Sequence, residues 1–137
     1  YHQLSDQTEA KVKEYQPEVL LTFDLNGVTG HLDHIAVSLA TSFVFEKSSA
    51  IKTIMYFCLS ETQQREWGKD YFIFVPGGYA ENQIDLTIDI RDYLAQKKEA
   101  IQAHKSQSKD VERMLDVLEK TDQNFEYFRK LDKPHSN

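Results

Sequence analysis

The chain predicts an α/β three-layer sandwich with a mostly parallel sheet, and three observations carry that expectation. Glu18-Val-Leu-Leu-Thr-Phe23 is a continuous apolar run bounded by Pro17 and Asp24, the pattern of a strand buried on both faces. Ile51-Lys-Thr-Ile-Met-Tyr-Phe-Cys-Leu59 is a second strand candidate. Between them Ile35, Val37, Leu39, Phe43 and Val44 recur at helical spacing. That helix, from about Asp33 to Lys47, supplies the crossover that parallel pairing of the two strands requires.

The other elements follow in order. Ser5 can cap a helix through Asp6 to Tyr15, with Pro17 marking its exit. After the βαβ unit, Ser60 to Trp67 reads as a short helix and Asp70-Tyr-Phe-Ile-Phe-Val75 as a strand halted by Pro76-Gly-Gly78. The segment from Gln83 to Ile90 alternates with period two, so it should be a half-exposed strand at a sheet edge. Tyr93, Leu94, Lys97, Ala100, Ile101 and His104 share one helical stripe, and Val111, Met114, Leu115 and Leu118 form another. Asp122 to Leu131, with Phe125 and Phe128, reads as a last helix. The expected organisation is a single domain over 1–137, with 1–16 a helix leading into the sheet and 108–137 a C-terminal helical tail.

Composition narrows the function classes. The chain has 137 residues, 40% hydrophobic and 28% charged, with a formal net charge of −6. That is the balance of a folded globular chain. No basic run is dense enough to follow a phosphate backbone, so nucleic acid is not an expected partner. No apolar stretch approaches the ~18 residues of a membrane span, and the start lacks a signal-peptide pattern. A cytoplasmic location is the default expectation, and homo-oligomerisation is left open. The one cysteine, Cys58, reads as a buried thiol acting as a small hydrophobe. The chain begins with Tyr1, so a piece of a longer protein is expected.

One tract stands out chemically. Asp24-Leu-Asn-Gly-Val-Thr-Gly-His31-Leu32-Asp33-His34 places two imidazoles and a carboxylate behind a glycine-rich loop, at the carboxyl end of a strand, where open α/β sheets bind ligands. Gly27 and Gly30 permit backbone conformations closed to other residues. His31 and His34 are spaced to face one cavity as the helix begins, and a helix N-terminus favours neutral imidazole. Asp33 can orient an imidazole, coordinate a metal, or simply cap the helix. A zinc site needs three protein ligands and an open position, and three from so short an arc would be strained. His2 and His135 read as solvated, and His104 as a structural histidine or helix-end cation. Trp67, Tyr71, Phe72, Phe74 and Tyr79 could stack on a sugar, but core is the commoner use of such residues.

The stretch Leu20-Leu-Thr-Phe-Asp-Leu-Asn-Gly-Val-Thr-Gly-His-Leu-Asp-His-Ile-Ala-Val-Ser38 resembles a signature of the PIG-L/LmbE deacetylases, of the form D-P-N-G-x-x-G-H-P-D-H. Lys97-Lys-Glu-Ala-Ile-Gln-Ala-His-Lys-Ser-Gln107 is similar to that family's downstream K…A-x-x-A-H-x-S-Q helix, with Asp89-Ile-Arg-Asp-Tyr93 between the two. The resemblance covers about Pro17 to Gln107. It implies a Rossmann-like fold and a zinc-dependent hydrolase that removes the acetyl group from an N-acetylglucosamine conjugate or related amidated sugar. It further implies His34 as a zinc ligand, His31 as the group that stabilises the oxyanion or protonates the leaving amine, and Asp33 as the residue orienting His31. Thr29, Asn26 and His104 are the substrate contacts it suggests. Two departures stand out: Leu32 occupies the usual proline position, and the family's A-H-P-D-D signature, which carries two zinc ligands and the general base, has no counterpart. The implied chain is therefore the C-terminal part of a deacetylase with the first βα units missing. A non-catalytic remnant or sugar-binding module is the alternative.

Overall fold

The computed structural model describes residues 2–68, 75–120 and 123–134. Helix α1 (His2–Tyr15) is followed by β1 (Val19–Phe23), a single turn α2 (Gly27–Gly30), α3 (Leu32–Lys47) and β2 (Thr53–Cys58). Then come α4 (Glu61–Gly68), β3 (Leu86–Asp89), α5 (Leu94–Gln102), α6 (Ser108–Lys120) and β4 (Phe125–Asp132). Strand–helix–strand through α3 is the expected βαβ unit, with β1 and β2 parallel and Phe23 opposite Phe57. No described helix is long and apolar enough to cross a membrane.

The sheet departs from a mostly parallel one. Its order is β1-β2-β4-β3, and both β2–β4 and β4–β3 are antiparallel. The difference comes from 125–132, expected to be helical and observed as β4, so only the first part of the expected C-terminal helical tail is a helix. Phe125 and Phe128 stand three apart, which fits a helix; pairing with β2 overrides that spacing and buries Phe128 beside Phe57, rings 5.8 Å apart and edge-on. The alternating Gln83–Ile90 segment does supply an edge strand, β3, whose four residues are all exposed rather than half-exposed. The strand expected over Asp70–Val75 lies outside the described residues, apart from Val75.

The core lies between the sheet and the α1–α3 pair. Val12, Val44, Phe45, Ile51 and Ile54 are buried together, with Leu20 and Tyr56 packed against them. Each large apolar side chain fully buried there contributes about 1.5–3 kcal/mol. Val12 is the one buried residue of α1, in keeping with its thin apolar face. The helix starts at His2, placing Ser5 inside it rather than at its cap. It ends on Gln16 at φ 47°, whose side-chain amide donates to the Lys13 carbonyl at 2.9 Å, so the C-terminus is capped without a glycine. Strand β1 is not buried on both faces: Leu20 and Thr22 turn toward the core, whereas Val19 and Leu21 are 49% and 64% exposed. Among the described residues, β1 pairs only with β2.

The connection from β1 to α3 positions everything that follows. Gly27 (φ 73°), Val28 (φ 66°, ψ −57°) and Gly30 (φ 75°) reverse the chain within four residues. Val28 is a β-branched residue in a strained γ-turn conformation. Its N–H donates to Asn26 Oδ1 at 2.8 Å, and the Gly27 N–H to the Asp24 carbonyl at 2.8 Å. Ser38 of α3 is fully buried and donates to the Phe23 carbonyl at 2.6 Å, clamping the helix to the strand end. A Cβ on Gly27 would lie 2.8 Å from Ile35 Cγ1.

Two predictions follow from these contacts. Gly27→Ala should lower the unfolding free energy by about 1–2 kcal/mol in urea titration, since both the left-handed backbone and the contact with Ile35 oppose the methyl; an unchanged midpoint would contradict the geometry. Cys58 is 1% exposed, and burial, followed by the nearby Asp24 charge, pushes its thiol up to about 12. At about pH 8 it should react with a disulfide reagent at least about 100-fold more slowly in the native protein than in denaturant.

Candidate functional site

The strained turn and the start of α3 bring Thr29, His31, Asp33 and His34 to one side of a cavity of about 610 Å³. Phe23 and Phe57, neighbours across β1 and β2, line it from the sheet. His104 and the helices α5 and α6 close it from the far end of the chain. The cavity thus lies at the carboxyl ends of the parallel pair, as the sequence led one to expect. Asn26 is not among its lining residues; its side chain is committed to the Val28 N–H.

His34 is the most tightly held of these groups. Its Nδ1 meets the Gly27 carbonyl at 3.2 Å. A carbonyl only accepts, so Nδ1 carries the proton and Nε2 keeps its lone pair. The ring is stacked on Phe23 at 4.0 Å with 9° between planes, and His31 lies 4.8 Å away on a tilted plane. Burial lowers the His34 pKa, with the Gly27 carbonyl opposing and the nearby His31 adding a little. The ring is therefore kept neutral, the state that binds a metal ion.

His31 takes the opposite tautomer. It is the N-cap of α3, and its Nδ1 accepts the Asp33 N–H at 3.2 Å. Nε2 then carries the proton and is a donor. The Asp33 carboxylate is 4.0 Å from Nδ1, beyond hydrogen-bond reach, and its side chain is 89% exposed. Asp33 therefore holds His31 through its backbone rather than its carboxylate. His104 Nδ1 meets the Ala100 carbonyl at 3.0 Å, so Nδ1 is the donor of that contact.

Several contacts that the sequence did not reveal lie at or behind the site. Buried Asp24 accepts a 2.9 Å hydrogen bond from Tyr79 Oη. Burial and that bond push the Tyr79 phenol up to about 12, so it remains a donor. Arg129 lies over the Tyr79 ring at 5.0 Å and pairs with Asp85 at 3.1 Å, continuing the chain of contacts to the loop before β3. Gln63 donates to Gln123 Oε1 and to the Phe125 carbonyl, each at 3.0 Å, and both glutamines are buried. Lys97 of α5 pairs with Glu126 of β4 at 3.0 Å, both half-buried. Asp24 carried a local signal as the polar residue ending an apolar strand, Tyr79 one as an aromatic able to stack on a sugar and Lys97 one within the downstream motif; their pairings, each across more than 25 positions of sequence, left none.

The donor set is incomplete for a metal. Among the described residues no three His, Cys, Asp or Glu side chains converge closely enough to hold an ion. His34 has the geometry of one ligand, backed by a carbonyl, while Asp33 points to solvent.

No family model matches the chain. It is 28% identical over 109 residues to a 1D-myo-inositol 2-acetamido-2-deoxy-alpha-D-glucopyranoside deacetylase of Mycobacteroides abscessus, an alignment covering 72% of this chain and 39% of that protein. A protein of the same name from Rhodococcus jostii is 26% identical over 119 residues, covering 72% of this chain and 41% of its own length. The chain spans about two fifths of the length of these curated relatives. Both are named as deacetylases of an acetamido-sugar conjugate, the class that the two sequence motifs implied.

Proposed function

We propose that this chain forms the C-terminal part of a PIG-L/LmbE-type deacetylase, a zinc-dependent hydrolase that removes the acetyl group from an N-acetylglucosamine conjugate. The observation that carries the reading is His34: Nδ1 locked on the Gly27 carbonyl, the ring stacked on Phe23, and Nε2 left free at a cavity wall. That is how a metal-ligating histidine is prepared by its second contact. Similarity over 72% of the chain to two deacetylases of an acetamido-sugar conjugate supports the same reading.

The roles divide by tautomer. His31 presents Nε2–H, the hydrogen-bond donor required beside a carbonyl oxygen that gains negative charge, or beside a leaving amine. Asp33 fixes that tautomer through its N–H. Thr29 and His104 line the same cavity and would contact the sugar in this reading. The described residues do not by themselves make a zinc site, which needs three protein ligands. His34 would be one ligand; the rest of the set, with the general base, would come from residues of a longer parent chain. The same shortage of converging donors is what favours the alternative, a module that binds an amino sugar without hydrolysing it.

The test uses the chain as it stands. Zinc titration by calorimetry should show weak binding, in the high-micromolar range or weaker, that His34→Ala removes. Release of free amine from an N-acetylglucosamine conjugate should stay at background. Turnover sustained by these residues alone would contradict the proposal, as would zinc binding that survives loss of His34. Retained sugar binding with no effect of His34→Ala would favour the binding module.

A further inference from the structure

Helix α3 turns a second apolar stripe away from the core. Its inner face, set by Ser38, Thr41 and Phe45, is buried, and Ser38 is hydrogen-bonded to the end of β1. About half a turn away around the helix stand Leu32, Ala36, Leu39 and Phe43, of which Leu32, Leu39 and Phe43 are exposed. Their spacing of four, three and four residues is that of a helix-packing seam, and Glu46 ends it. Helix α1 meets α3 through Val12 and Val44, on a flank, and leaves the seam open. A strand added beside β1 by a longer parent chain would extend the sheet sideways, and the helices covering it would lie beside α3 rather than over its outer face.

The seam is complementary to itself. Turned end for end about the midpoint between Ala36 and Leu39, two copies of α3 set Leu32 of each against Phe43 of the other, and Leu39 of each over the small Ala36 of the other. The flanking charges obey the same symmetry. Asp33 and Lys47 stand two heptads apart on one flank, the carboxylate 89% exposed and the ammonium over the Phe43 ring at 4.2 Å. The antiparallel arrangement brings Asp33 of each copy toward Lys47 of the other and sets the two helix dipoles head to tail. We infer that the outer face of α3 is a docking surface for a second copy of this chain, forming an antiparallel two-fold dimer through Leu32, Ala36, Leu39 and Phe43. At 1.5 Å per residue α3 is about 24 Å long. One such helix pair buries less than the ~800 Å² per partner of a standard interface, so the dimer is a weak one, with a micromolar dissociation constant. It reaches the candidate site as well, because Leu32 lies between His31 and Asp33.

Sedimentation equilibrium across about 1–500 µM should show a monomer–dimer equilibrium, and Leu39→Glu or Phe43→Ser, each with an unchanged circular dichroism spectrum, should weaken it at least about tenfold. Lys47→Glu and Asp33→Lys should each weaken it by setting like charges face to face. An equimolar mixture of these two variants should recover association as a mixed dimer, since each copy then supplies the charge that the other lacks. A chain that stays monomeric throughout, a dimer indifferent to both Leu39→Glu and Phe43→Ser, or a mixture that associates no more tightly than either charge variant alone would overturn the inference. So would a monomeric chain that instead adsorbs through this stripe to phosphatidylcholine vesicles, which would assign the face to a lipid surface.

Discussion

The hydrogen bond from His34 Nδ1 to the Gly27 carbonyl is the contact on which the candidate site depends, and it exists only because the chain doubles back between β1 and α3. Gly27, Val28 and Gly30 all hold positive φ within this turn. Valine in such a conformation costs on the order of 1–3 kcal/mol, offset locally by the Asn26–Val28 bond and the Ser38 clamp on Phe23. Residual strain of this kind collects where a side chain has to be aimed. Here it aims Thr29, His31 and His34 into one cavity.

Electrostatics then sets the two imidazoles apart. His34 is desolvated between Phe23 and His31 and stays neutral, with its free nitrogen fixed by a carbonyl on the other side. His31, half-exposed at the helix N-cap, is fixed as a donor by the Asp33 N–H. Two histidines three residues apart thus present opposite capabilities to the same space, an acceptor able to ligate and a donor able to stabilise negative charge. Behind them the Asp24–Tyr79 bond joins the end of β1 to the 75–80 loop, and the Arg129–Asp85 pair carries the contacts to the opposite edge of the sheet.

What the sequence made legible is local. The β1–α3–β2 unit could be read because its strands are apolar runs with clear stops and the segment between them is apolar at helical spacing; which face of that helix is buried was not legible, since Val37, Leu39 and Phe43 are exposed while Ser38, Ala40 and Thr41 are buried. The imidazole cluster was legible because Gly27 and Gly30 announced an unusual backbone. Strand β4 was not: Phe125 and Phe128 fit a helical spacing, and the pairing with β2 that overrides it joins distant positions, from Cys58 with Tyr127 to Thr53 with Asp132. The exposure of Val19 and Leu21 was equally hidden, since an apolar run does not say whether both faces will be covered. That Val28 adopts positive φ could not be foreseen from a residue that rarely does so. Asp33 looked like a carboxylate partner of His31 because spacing cannot distinguish a side-chain contact from a backbone one. The α6 stripe was read as an ordinary apolar helix face, and only the fold shows that it meets a cavity rather than the core.

The most direct test of the account is the tautomeric state of the two imidazoles, read by long-range nitrogen–proton NMR on labelled protein near neutral pH and during zinc addition. His34 should be the Nδ1–H tautomer and His31 the Nε2–H tautomer, with His34 titrating below the ordinary histidine value and its Nε2 resonance the first to shift as zinc is added. An Nε2–H tautomer at His34, or zinc shifts that appear at His2 or His135 and leave His34 unmoved, would contradict it.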